Sequence, residues 1–83
     1  MKKKVDYTLD FRGIISPVTL LKVRDLFKKM KPDEVLEILG RDPDTRTFLF
    51  KILPEGAFEL VEKSVLHDVQ LYYRICIKKV KSI

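Results

Sequence analysis

Cysteine is almost missing from this chain. A single residue, Cys76, cannot close an internal disulfide or form a redox pair. One cysteine and one histidine give no cluster with metal-ligand spacing, which excludes a zinc site and leaves no cofactor to expect. Side-chain amides are scarce too: there is no asparagine, and Gln70 is the sole glutamine, as in heat-adapted proteins. No apolar run approaches the roughly 20 residues that cross a bilayer. Met1, Lys2, Lys3 and Lys4 lead into a strand pattern instead of the apolar core of a signal peptide, so the cytoplasm is the expected location and no membrane partner is expected. Internal repeats and low-complexity linkers are absent, and 83 residues leave room for one domain, 1–83, and no second.

What is present argues for a folded chain. Hydrophobic residues make up 46% and charged residues 35%, a balance foreign to disorder. The net charge of +5 favours acidic partners or nucleic acid, but much of the excess sits at the two ends, in Lys2 to Lys4 and in Lys78, Lys79 and Lys81, where it is expected to be solubilising.

Apolar periodicity sets the order of elements. Val5, Tyr7, Leu9 and Phe11 alternate with Asp6, Thr8 and Asp10, the period of a strand with one buried face. From Pro17 to Met30 the period lengthens: Leu20, Val23, Phe27 and Met30 recur at steps of three or four, Leu21 and Leu26 widen the stripe, and charged residues fill the rest. Lys31-Pro32-Asp33 breaks this helix. Glu34 to Leu39 reads as a second strand, with Leu36 and Ile38 on one face and Val35 and Leu39 on the other. Thr45 to Leu53 reads as a second helix carrying Phe48, Leu49, Ile52 and Leu53, capped by Asp44 or Thr45 and stopped by Pro54-Glu55-Gly56. Phe58 to Val65 alternates as Phe58, Leu60 and Glu62 against Glu59, Val61 and Lys63, and Leu66-His67-Asp68 makes the connection. Val69 to Val80 is the strongest strand, with Leu71, Tyr73, Ile75 and Ile77 on one face and Tyr72, Arg74, Cys76 and Lys78 on the other. The expected fold is α+β: a two-layer sandwich in the order β-α-β-α-β-β, with two helices on one face of a mixed four-stranded sheet.

The stretch from Leu9 to Pro17 joins the first strand to the first helix. Gly13 permits backbone angles that other residues avoid, and Ser16-Pro17 reads as N-cap followed by first helical position. This stretch resembles the signature of the TusA/SirA family of small sulfur-carrier proteins, in which Leu-Asp-x-Arg-Gly leads two residues later into Cys-Pro-x-Pro. Leu9, Asp10, Arg12, Gly13 and Pro17 match in type and spacing, while Ser16 stands where the family has its persulfide-carrying cysteine and Thr19 where it has its second proline. Asp42-Pro43 falls where the family has an Asp-Pro before its second helix, the spacing on to Leu60 also fits, and Phe48-Leu49-Phe50 replaces a more polar Asp-Ile-Pro. The resemblance implies the same β-α-β-α-β-β fold and a protein partner of the sulfur-relay type.

A sulfur carrier needs a thiolate, and a serine hydroxyl is un-ionised at neutral pH and forms no stable persulfide analogue. The resemblance therefore implies a relative without sulfurtransferase activity, a binding or regulatory protein in sulfur-relay or tRNA-thiolation chemistry. Ser16 is expected to cap the first helix through the amide of Thr19, which a proline would lack. The other roles open to Ser16 are to hold an anion or partner carboxylate together with the helix amides and Arg12, or to act as a nucleophile with His67 as base. Asp10 is expected to orient the turn by a side-chain-to-backbone bond. Two further functional readings stand beside the first: nucleic-acid binding on the open sheet face through Tyr72, Arg74 and Lys78, and sulfur carriage through Cys76, the only thiol.

Overall fold

The computed structural model describes residues 5–12, 17–41 and 43–80 and, of 17–19 and 43–46, the backbone alone. The elements are β1 (Tyr7–Asp10), α1 (Pro17–Lys29), β2 (Val35–Gly40), α2 (Pro43–Ile52), β3 (Phe58–His67) and β4 (Leu71–Lys79). The sheet order is β1-β2-β4-β3; β1 and β2 run parallel, and the other two pairs are antiparallel. A parallel pair needs a crossover, and α1 supplies it. Two helices and a mixed four-stranded sheet form the two-layer α+β sandwich expected from periodicity, with β1 and β3 at the edges. No helix among the described residues is long and apolar enough to cross a membrane.

The core lies between the layers. Tyr7 and Leu9 of β1 stand opposite Leu36 and Ile38 of β2, which stand opposite Ile77 and Ile75 of β4. Val23, Phe27 and Met30 on and just after α1, and Leu49 and Leu53 on and just after α2, close over this face, joined by Phe11, Ala57 and Tyr73. Phe58 contacts both helices' aromatics, edge-on to Phe27 at 6.4 Å and stacked on Phe50 at 6.0 Å. Burying each large apolar side chain is worth roughly 1.5–3 kcal/mol, so this layer and not the basic faces of the helices holds them to the sheet. Two expected stripe members are not in it: Leu21 is 49% exposed and Phe48 47% exposed. Both sit at the margins of their stripes, where a helix turns its next residue toward solvent. Phe48 lies against the Lys51 ammonium, 5.1 Å from the ring centre.

β3 departs most from the alternation. Leu60 pairs with Ile77 but Glu62 with Cys76, so Val61 is the extra residue of a bulge. The bulge reverses the phase: Phe58 and Leu60 face the helices, whereas beyond it Lys63, Val65 and His67 do so and Glu62 and Ser64 turn to the open face. β3 also continues to His67, which is its last residue and exposed, not part of the connection, and β4 starts at Leu71, leaving Val69 in the turn and 86% exposed. At this edge, a bulge and a charged Lys63 on the inner face protect against pairing with another chain.

Lys79 corrects a second expectation. It continues the inner face of β4 after Tyr73, Ile75 and Ile77, and it is 1% exposed, not solubilising. Its ammonium donates to the carbonyls of Phe27 at 2.7 Å and Lys28 at 3.3 Å and lies 5.0 Å from the Phe27 ring centre. These carbonyls belong to the last turn of α1, where the ladder runs out and Phe27 receives only a shared bond from Met30 N at 3.2 Å, and a cation there also complements the helix dipole. The backbone of the same residue ties the α1–β2 connection to the sheet, accepting from Asp33 N at 2.6 Å and donating to Glu34 O at 3.0 Å. Asp33 takes a positive φ of 73° to make that turn.

Gly40, the last residue of β2, is set by a close approach. It pairs with Tyr73, and a methyl at Gly40 would come within 2.6 Å of Tyr73 Cζ, closer still to its hydroxyl. Tyr73 is buried and cannot swing out. Gly40→Ala is expected to lower stability by about 1–3 kcal/mol, the usual cost of overpacking, read as a lower urea midpoint at unchanged slope.

Candidate functional site

α1 begins at Pro17, so position 16 directly precedes the helix in sequence. Gly13, Ser16 and Asp42 lie outside the described residues, and with them the expected cap from Ser16 to Thr19 and any approach of His67 to Ser16. Leu9 sits on the inner face of β1, and Asp10 ends the strand with its side chain in solvent.

Asp10 and Arg12 form a closed unit. Asp10 Oδ1 accepts from the Arg12 backbone N and from Nε, both at 3.0 Å, and Oδ2 accepts from Nη2 at 2.7 Å. The first of these is a short side-chain-to-backbone turn of the kind aspartates favour. The fork-to-carboxylate geometry holds the Asp10 carboxyl below the usual range and raises the Arg12 guanidinium above it, the hydrogen bond between them being the main cause in each.

Arg41, the first residue after β2, builds this unit into the fold. Its Nε donates to the Arg12 carbonyl at 3.0 Å, Nη1 to the carbonyls of Gln70 at 3.1 Å and Leu71 at 3.3 Å, and Nη2 to Asp68 Oδ2 at 2.9 Å. Arg12 reaches the same Asp68 oxygen through Nη1 at 3.3 Å. Both guanidinium carbons lie over the Tyr72 ring, that of Arg12 at 4.9 Å and that of Arg41 at 5.8 Å from its centre. Asp68 Oδ1 accepts from Gln70 N at 3.0 Å, which closes the β3–β4 turn. Thus the end of β1, the start of the β2–α2 connection and the β3–β4 hairpin meet in one charge-balanced cluster. Arg41 and Asp68 escape a sequence reading because each acts across the sheet. Only the turn chemistry of Asp68 leaves a local trace.

The hydrogen bond from Arg41, followed by that from Gln70 N, lowers the Asp68 carboxyl well below its ordinary value. Asp10 shifts in the same direction. A carboxylate whose folded pKa lies below its unfolded value, about 3.9, stabilises the fold fully above that value and loses its contribution as pH falls through the folded one. The stability difference between the unaltered chain and Asp68→Asn is therefore expected to be constant from pH 7 to about 5 and to narrow steadily below about pH 4. Thermal melts across this range test it, and a difference that widens with acid would contradict the ion pairing.

Cys76 is placed otherwise. It lies on the open face in register with Glu37 on one side and Glu62 on the other, and it is 1% exposed. Arg74, next on that face, pairs with Glu37 at 2.5 Å and with Glu62. Lys78 lies 3.6 Å from Glu59, and Thr8 donates to Glu37 at 3.0 Å. Among the described residues no group of three or more histidine, cysteine, aspartate or glutamate side chains is gathered to hold a metal ion.

No curated protein matches the chain. The family model described as Sulfurtransferase TusA matches residues 7–79, a span that runs from the first residue of β1 to the last of β4. With nearly its whole length accounted for in this way, the chain belongs to the TusA family.

Proposed function

We propose that this protein is a member of the TusA family without the persulfide-carrying cysteine, a non-catalytic binding or regulatory component of sulfur-relay or tRNA-thiolation chemistry. Ser16 takes the cysteine's place, directly before Pro17, and oxygen cannot hold a sulfane sulfur there. The observation that carries the reading is that the one cysteine in the chain, Cys76, is 1% exposed, in register between Glu37 and Glu62, where a partner's persulfide has little approach. Its family membership supports a partner of the sulfur-relay type.

Neither alternative gains from the geometry. Carriage through Cys76 meets the same burial. For nucleic acid, Arg74 is engaged by Glu37 and Glu62 and Lys78 faces Glu59, so neither of these two cations of the open face is left uncompensated for a phosphate. Incubation with a cysteine desulfurase and cysteine, followed by intact mass, tests the proposal. The protein is expected to keep its mass, and acquisition of sulfur that Cys76→Ala abolishes would overturn it.

A further inference from the structure

The Arg41 fork is fixed mainly by groups that no ligand can replace. Nε and Nη1 are held by the backbone carbonyls of Arg12, Gln70 and Leu71. Arg12 is held likewise by Asp10. What remains of the two guanidinium groups is one edge each, Arg41 Nη2 and Arg12 Nη1, and both edges point at a single oxygen, Oδ2 of Asp68. Asp68 belongs to the exposed hairpin turn, and its own structural bond uses the other oxygen, Oδ1. Without Asp68 Oδ2 the cluster would hold two cations and one anion, pre-set over the Tyr72 ring and partly open to water.

We infer that Arg12 and Arg41 over Tyr72 form a carboxylate-binding cradle that the chain's own Asp68 occupies, and that an acidic segment of a partner protein engages it by exchanging with Asp68. The exchange trades one carboxylate for another. Both arginines are already ordered, so the incoming group does not have to order them. Asp68 Oδ2 is held at 2.9 Å by Arg41 and at a longer 3.3 Å by Arg12, and all three side chains are partly exposed, so a carboxylate from outside can reach the shared edge as Asp68 leaves it. Nothing in this exchange requires sulfur chemistry, so the cradle stands or falls apart from the function proposed above.

Two peptides distinguish the sources of the carboxylate: an uncharged one with a free C-terminus, and a glutamate-containing one with an amidated C-terminus. Titrated into the full chain, at least one is expected to bind Asp68→Ala about tenfold or more tighter than the unaltered protein. Adding Arg41→Ala should remove the gain. Asp68→Asn keeps an acceptor for Gln70 N and serves in place of Asp68→Ala if the latter does not fold. In the unaltered protein, saturating peptide should move the Nε–H resonances of Arg12 and Arg41. No gain for either peptide, a gain that survives Arg41→Ala, or arginine resonances that stay in place at saturation would each overturn the inference.

Discussion

Lys79→Glu is expected to leave the chain without a stable fold. The substitution would aim a carboxylate at the carbonyls of Phe27 and Lys28, in a site that excludes water. An uncompensated buried charge costs about 3–5 kcal/mol, and a domain this small has about that much stability in total. Lys79→Met separates charge from packing, because methionine fills the space of the lysine stem but offers no donor. The Phe27 carbonyl would keep only Met30 N, at 3.2 Å, and Met30 N is already divided between that carbonyl and the one of Leu26 at 3.1 Å. Lys28 would lose its donor from Lys79. A buried acceptor left this way costs about 1–3 kcal/mol, or roughly 4–8 °C in Tm for each kcal/mol. Replacing a buried charge by an apolar group can be neutral when both partners go, but here the helix carbonyls stay. Urea titration of the two variants decides the matter. A Lys79→Met protein as stable as its parent would show that the cost of burying the ammonium offsets the bonds it makes.

Periodicity reports which residues face a core and says little about what the other side chains meet. The alternation of Leu71, Tyr73, Ile75 and Ile77 placed the inner face of β4 correctly, and its next step is Lys79, so the signal for a buried lysine was in the pattern and was masked by the basic residues around it. The bulge in β3 left no such signal: Leu60-Val61-Glu62 contains no glycine, and the phase reversal follows from how β4 receives the strand. The site divides along the same line. Asp10 and Arg12 interact two residues apart, and a motif can carry them. Arg41 meets Arg12 across 29 residues and Asp68 across 27, contacts that exist only once β2 is paired with β1 in the first case and with β4 in the second. A motif can therefore be legible in sequence while the groups that fix it in space lie far along the chain.

The other large effect concerns position 16 itself. Ser16→Cys is expected to take up one sulfur atom from a cysteine desulfurase, reversibly with a reducing thiol, where the unaltered chain takes up none. A thiolate at position 16 would attack the outer sulfur of the desulfurase's persulfide; the new sulfur–sulfur bond forms as the old one breaks, and the desulfurase leaves as its own thiolate. The position directly before a 13-residue helix favours this, since helix N-termini lower a cysteine pKa from about 8.5 into the range of roughly 3.5–7.5. Thr19, in the first turn of that helix, has a backbone amide to add as a donor at that end. The uptake should persist in Ser16→Cys combined with Cys76→Ala, because Cys76 is buried on the opposite face of the sheet from the helices. Iodoacetamide labelling of the same variant separates two causes of failure. A thiol that alkylates readily at neutral pH yet stays free of sulfur would show that a thiol at this position does not by itself restore transfer, and would overturn the proposal that Ser16 is what separates this chain from a carrier.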